Sequence, residues 1–164
     1  MSVVRRFLVV CALFFTACDP YPKDPRNTLE KIEREGVLWA GMSEHQPWTR
    51  EVDDKAVGVE PALVEELAGE LGVEVRWSVM SEAELAEALK HGKIDIAVAG
   101  YTKKSPWSKH IGLSRPYVEV GNERHVVAVR QGENRWLLRV ERFLDDKGPR
   151  VLRTLDAYET VALP

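Results

Sequence analysis

His91-Gly-Lys-Ile-Asp-Ile-Ala-Val-Ala-Gly-Tyr-Thr-Lys-Lys-Ser-Pro-Trp-Ser-Lys-His-Ile-Gly-Leu-Ser-Arg-Pro-Tyr117 decides the fold of this chain. Its first glycine ends a helix. The apolar run Ile94 to Ala99 is too short for a buried helix and rich in β-branched residues, so it reads as a strand buried on both faces. The run stops at Gly100, where Tyr101, Thr102 and Ser105 begin a polar loop. In open α/β sheets ligands settle beyond the carboxyl ends of the strands, and this is such an end.

Working outward, the same grammar repeats. On the amino-terminal side, Ser81-x-x-Glu84 is a capping box that opens a helix through Leu85, Ala88 and Leu89, with Lys90 and His91 complementing its last turn. Val73 to Val79 alternates as a strand, and the stripe Leu63, Val64, Leu67, Ala68, Leu71 marks a helix with Pro61 in its first turn. Arg50 to Lys55 reads as a charged, mobile loop. Val37 to Met42 is another strand, preceded by a helix that starts at Asn27 with a side-chain cap and stops at Gly36. On the carboxyl side, a turn at Gly121-Asn122 leads to a strand, His125 to Val129. A helix follows from Glu133 to Asp146 with Trp136, Leu137, Val140, Phe143 and Leu144 on one face, closed by Gly148-Pro149. Residues 150–164 have weak periodicity and read as a short helix or a loose tail. Alternating strands and helices predict an α/β lobe of three layers, a mostly parallel sheet of about five strands with helices on both faces.

The 164 residues are 45% hydrophobic and 30% charged, with net charge −3. This is ordinary globular composition and lacks the basic excess of a nucleic-acid binder. Both cysteines, Cys11 and Cys18, lie in the first eighteen residues, so the body holds no disulfide or cysteine metal site. His45, His91, His110 and His125 are scattered, without ligand spacing, and neither metal nor cofactor is expected.

Arg5-Arg6 followed by the apolar run Phe7 to Thr16 has the form of a secretory leader, too short to span a bilayer. Phe15-Thr16-Ala17-Cys18 resembles a bacterial lipobox, which implies cleavage after residue 17 and acylation of Cys18. Residues 18–27 then form a lipidated tether, with Tyr21-Pro-Lys-Asp-Pro25 as a stiff spacer. Asp19 after the cysteine resembles an inner-membrane retention signal. The expected location is the periplasmic side of the envelope, anchored in the inner membrane, with the lobe over 28–149.

The words Gly36-Val-Leu-Trp-Ala-Gly41, Gly58-Val-Glu, Leu89-x-x-Gly-Lys-Ile-Asp-Ile96, Gly100-x-Thr102 and Leu113-Ser-Arg-Pro-Tyr117, in this order, resemble the family 3 bacterial extracellular solute-binding proteins. That resemblance implies the type 2 periplasmic-binding fold, service to ABC importers of polar solutes, and two hinged lobes. Here it covers only the first lobe. The chain passes from Val129 through Arg130-Gln-Gly into a helix similar to the family's closing one, as if the second lobe were excised.

The resemblance also implies that Gly100 and Thr102, with Tyr101 between them, hydrogen-bond the ligand. Aligned on Asp95 and Ser114, the family's carboxylate-clamping arginine is replaced by Trp107. A free amino acid thus loses its bidentate anchor. Lys103, Lys104 and Arg115 are alternative cations. Trp48 and Trp107 read either as an aromatic wall for a sugar-like, aromatic or cationic ligand, with Glu44 answering a cation, or, for Trp48, as core beside Pro47. A closed two-lobe site buries about 70–90% of its ligand. If such a site gives about 1 μM affinity, or about 8 kcal/mol, one wall supplying half leaves roughly the millimolar range. The expected function is a lipid-anchored, non-catalytic binder of a small polar solute, or an accessory to an ABC permease or another inner-membrane protein. The alternatives are a periplasmic dehydratase-like enzyme of the same fold and a docking or structural lipoprotein with no ligand.

Overall fold

The computed structural model describes residues 24–162. The leader, the lipobox cysteine and most of the tether lie outside these residues. Helix α1 spans Thr28–Glu35 and leads into β1, Val37–Met42. Asn27 does not cap α1 with its side chain. Its backbone is left-handed (φ 51°), and the orphan amides of the first turn are taken by distant carboxylates. Glu133 accepts from the Arg26 and Thr28 amides and from the Thr28 hydroxyl at 2.7 Å, and Asp24 accepts from the Leu29 amide. The helix start is therefore fixed by a residue 105 positions away, which local spacing cannot reveal.

Two short strands, β2 (Arg50–Val52) and β3 (Lys55–Val57), occupy the stretch that its charge marked as a mobile loop. They pair antiparallel across Asp53 and Asp54, both at positive φ (49° and 59°). Aspartate tolerates that region, and two such residues give the turn whose twist suits a two-residue hairpin. Helix α2 (Val59–Leu71), strand β4 (Glu74–Val79), helix α3 (Glu82–His91) and strand β5 (Ile96–Val98) follow. The Ser81–Glu84 capping box forms in both directions, and Gly36, Gly72 and Gly92 each end a helix in the left-handed region.

Beyond β5, a short 3-10 turn (Pro106–Lys109) precedes β6 (Gly112–Leu113), a hairpin of β7 (Val118–Val120) and β8 (Glu123–His125), and β9 (Ala128–Val129). The single strand expected over 125–129 is thus divided between a hairpin and the main sheet. Helix α4 (Asn134–Leu144) buries Trp136, Val140, Phe143 and Leu144. Gly148-Pro149 does not simply close it. Those residues open another helix, α5 (Gly148–Ala162), because proline suits a first turn whose amides are unpaired anyway, and Val151 and Leu155 carry α5 into the core.

The main sheet has the order β4-β1-β5-β9-β6. β1 pairs parallel with β4 (Ala40 opposite Trp77) and with β5 (Gly41 opposite Ala97). β9 runs antiparallel between β5 and β6, so four strands point one way and one the other. Alternation along β5 sorts the core. Ile96 and Val98 pack in the cluster that α1, α2, α4 and α5 cover, whereas Ala97 and Ala99 pack with Leu85 and Leu89 of α3. Gly41 lets α3 approach, since a β-carbon there would lie 2.4 Å from the Leu85 side chain. Trp136, fully buried, donates its indole N–H to the Asp95 carbonyl at 2.8 Å, and Asp95 in turn holds the Trp39 amide and Lys31. Both ties secure the approach to β5, so the strand leaves the sheet in one defined direction.

Candidate functional site

β1 and β5 end side by side, and the Ser43 amide still bonds the Val98 carbonyl as the two chains part. Gly100 follows at φ +61°, and a β-carbon there would meet the His45 ring at 2.8 Å and Trp48 at 3.0 Å. Both the dihedral and the crowding require glycine. Beneath it lies Glu60 from the first turn of α2, with no exposed surface. Its carboxyl accepts from the Gly100 amide at 2.8 Å and from the Tyr117 hydroxyl at 2.9 Å, while its own amide bonds the Trp48 carbonyl. Burial pushes the Glu60 carboxyl up to about 7, against the pull of these hydrogen bonds.

Trp48 is buried as well, at 5% exposure. Its ring stacks on His125 with centroids 3.7 Å apart and meets Tyr117 edge-on at 6.5 Å. The segment after Gly100 is braced from the hairpin: Val126 donates to the Tyr101 carbonyl and Lys103 to the Arg124 carbonyl. Ser105 then caps the 3-10 turn by accepting from the Trp107 amide.

The result is a cleft of about 320 Å³ lined by residues of the 99–106 segment together with His45, Glu82, Glu123 and His125. Gly100, Tyr101 and Thr102 face it, as their place after β5 suggests. Three other candidates do not line it. Trp48 sits under the floor. Glu44 is exposed and accepts from the Glu51 amide, bracing the β2 hairpin. Trp107 is half-buried against the α3 side, its indole N–H donated to Glu82 at 3.0 Å. No wall of two tryptophans forms, because one ring is spent on the core and the other on the side of α3. Lys104, named in the sequence only as a spare cation, does line the cleft.

Two buried polar atoms here have no partner, the Tyr101 hydroxyl and Nδ1 of His125. Tyr101 is 3% and His125 6% exposed. Unpaired polar groups in a native interior cost free energy unless water or a ligand satisfies them. Burial, aided by Glu82 and Glu60, raises Tyr101 well above the usual phenol range, so it keeps its proton. Burial, with His45 nearby, holds His125 below the ordinary imidazole value. Lys104, 3.1 Å away, holds the Glu123 carboxylate below its ordinary range, and Thr102 Oγ1 accepts from the Lys104 amide. Among the described residues no cluster of three or more His, Cys, Asp or Glu could hold a metal ion. No described helix is long and apolar enough to cross a membrane.

The family model for bacterial extracellular solute-binding proteins, family 3, matches residues 38–157. The chain belongs to that family. Among curated relatives, membrane-bound lytic murein transglycosylase F from Vibrio vulnificus is 34% identical over 95 residues, 57% of this chain and 18% of that protein. A probable histidine-binding protein from Campylobacter jejuni is 28% identical over 113 residues, 68% of this chain and 44% of that one. The chain thus spans less than half the length of either relative. Among solved structures, the arginine-bound form of domain 1 from TmArgBP (T. maritima) superposes with TM-score 0.63 at 28% identity, covering 70% of this chain and 95% of that one. The ancestral amino acid-binding protein AncCDT-1 superposes at 0.64 with 18% identity, covering 73% and 92%, and shares the fold. The likeness to domain 1, over almost its whole length, makes the chain one lobe of a type 2 solute-binding fold.

Two lining residues, Glu82 and His125, have no distinguishing signal in the sequence. Glu82 reads as an ordinary acid in a helix's first turn, and His125 as one residue of an apolar strand.

Glu60 gives a measurable pH signature. A carboxyl whose folded pKa (about 7) exceeds its ordinary 4.5 binds its proton more tightly in the folded chain, so stability falls as pH rises between those values and is flat outside them. Urea unfolding of wild type minus Glu60→Gln is expected to drop by about 3 kcal/mol between these limits, at 1.36 kcal/mol per pKa unit. Asp24, also raised to about 7 by burial and by Glu133, titrates alike in both proteins and cancels. Parallel curves would remove Glu60 from the floor of the site.

Proposed function

We propose that this chain is a lipid-anchored, non-catalytic solute-binding lobe of the periplasmic face, which holds a small polar solute weakly and serves a membrane transport system such as an ABC permease. The observation that carries this reading is the pair of buried, partnerless polar atoms, Tyr101 Oη and His125 Nδ1, in a braced cleft at the carboxyl end of the sheet. Family membership supports it, and the arginine-bound domain 1 of TmArgBP supports ligand retention by a lobe on its own. Weak binding follows from a single wall, since a solute seated here keeps one side in water. The non-catalytic reading rests on the hydroxyls at the cleft: Thr102 Oγ1 accepts from the Lys104 amide and Ser105 Oγ from the Trp107 amide, and among the described residues neither is hydrogen-bonded to a histidine. The stretch shared with the transglycosylase amounts to 18% of that enzyme. The anchor rests on the lipobox at Cys18.

Calorimetric titration of the chain with polar amino acids and amines is expected to give saturable binding near the millimolar range, about 4 kcal/mol. Tyr101→Phe removes only the unpaired hydroxyl. It should weaken binding several-fold, about 1 kcal/mol, while leaving the melting temperature unchanged or higher, because a buried unsatisfied group is lost. No saturable heat with any solute, or a Tyr101→Phe variant that melts lower and binds equally, would overturn the binding reading. Cys18→Ser should move the protein from the membrane to the soluble fraction. Unchanged membrane retention would overturn the anchor.

A further inference from the structure

At the end of the sheet opposite Gly100 lies a second cavity of about 160 Å³, and Arg26, Lys31, Arg130 and His91 all line it, although the whole chain is net negative (−3). The topology brings these groups together. β9 runs antiparallel to β5 with Val129 opposite Ile96, so Arg130 emerges where β5 begins, beside Asp95. Gly92 ends α3 at the same place, and a β-carbon on it would lie 2.8 Å from Arg130 Nη1. The bare glycine therefore seats the guanidinium, whose Nη2 donates to the Lys90 carbonyl. Lys31 is fixed from its own side. Its Nζ lies 3.0 Å from Asp95 Oδ1, and the other Asp95 oxygen accepts from the Trp39 amide.

The charges in this lining do not cancel. Asp95 is its one carboxylate and offsets Lys31. Two further carboxylates stand close by. Glu87 is 3.3 Å from His91 Nε2, and buried Glu133 accepts from the Arg26 and Thr28 amides and the Thr28 hydroxyl. Neither answers a guanidinium: among the described residues Arg26 is exposed with a side chain that makes no hydrogen bond, and Arg130 bonds only the Lys90 carbonyl. The first amides of α1 are taken by Glu133 and Asp24, so an anion here would be held by side chains. Two guanidinium forks and an ammonium around one space suit a phosphate, which has oxygens for all three, better than a carboxylate with two. We infer that this cavity binds a phosphate group, free or on a lipid headgroup, through Arg26, Lys31 and Arg130. Arg26 lies eight residues after Cys18, at most about 28 Å of extended chain. The headgroup source rests on the anchor proposed at Cys18; the site itself rests on neither the anchor nor the cleft.

Sodium phosphate, sodium acetate and glycerophosphoglycerol, the deacylated headgroup of phosphatidylglycerol, are titrated into the full chain at constant ionic strength and followed by amide NMR. Phosphate is expected to saturate in roughly the millimolar range. It should move the amides of Arg26, Thr28, Gly92 and Arg130 and leave those of Gly100, Tyr101 and Thr102 in place. Acetate should bind at least about threefold more weakly. Arg26→Gln should weaken phosphate by about twofold to fivefold, the range of an exposed ion pair, at unchanged melting temperature. Arg130→Gln should weaken it as well and melt lower, because the Lys90 carbonyl loses its donor; if that variant does not fold, Arg26→Gln decides. Saturation by glycerophosphoglycerol supports the site with a lipid headgroup as its source, and saturation by inorganic phosphate alone supports it with the free ion. Failure of both phosphates, acetate binding as tightly as they do, or Arg26→Gln binding as wild type does overturns the proposal and leaves the reading of the cleft untouched.

Discussion

A single carboxyl group, that of Glu60, ties together what the rest of the site depends on. One oxygen holds the amide of Gly100 at the point where β5 leaves the sheet, and the other holds the Tyr117 hydroxyl at the return toward the hairpin. Its backbone amide bonds Trp48. Without that buried acceptor, two groups distant in sequence, the Gly100 amide and the Tyr117 hydroxyl, would be unpaired in the core, each costing about 1–3 kcal/mol. The floor is stiff because it would be costly to break. On the proposed binding reading that stiffness matters, because a one-walled site has little binding energy to spend on ordering its own loop.

From that floor upward, several charged groups stand in pairs. Lys104 answers Glu123, Lys31 answers Asp95, and Arg115 answers Glu141 and Asp145. At the Tyr101 hydroxyl and the His125 Nδ1 the interior is left unsatisfied, and both lie at the cleft.

The sequence reveals the frame of this lobe better than its site, and for a physical reason. Helix caps made by near neighbours are written locally, so Ser81-x-x-Glu84 and the glycines at 36, 72 and 92 could be read directly. The cap on α1 could not, because Glu133 reaches it from the far side of the chain, leaving Asn27 as a plausible but idle candidate. Charge misled at Arg50–Lys55, where two aspartates at positive φ make a tight turn rather than a loose loop. Within the site, Gly100, Tyr101 and Thr102 were legible because strand ends are. Trp48 and Trp107 looked available because aromatics near a cleft often are, yet stacking on His125 and the hydrogen bond to Glu82 engage them elsewhere. Glu82 and His125 carried no signal, since only the tertiary fold brings α3 and the hairpin to the end of β5.

Residue-resolved amide NMR during a titration with a polar amino acid or amine that binds tests most directly whether the end of β5 is where this lobe binds its solute. Binding there requires the largest shifts at Gly100, Tyr101 and Thr102 and around His125, with the amides at the opposite end of the sheet, near Arg26 and Arg130, unmoved. Shifts concentrated near Arg26 and Arg130, or spread evenly over the surface, would contradict it.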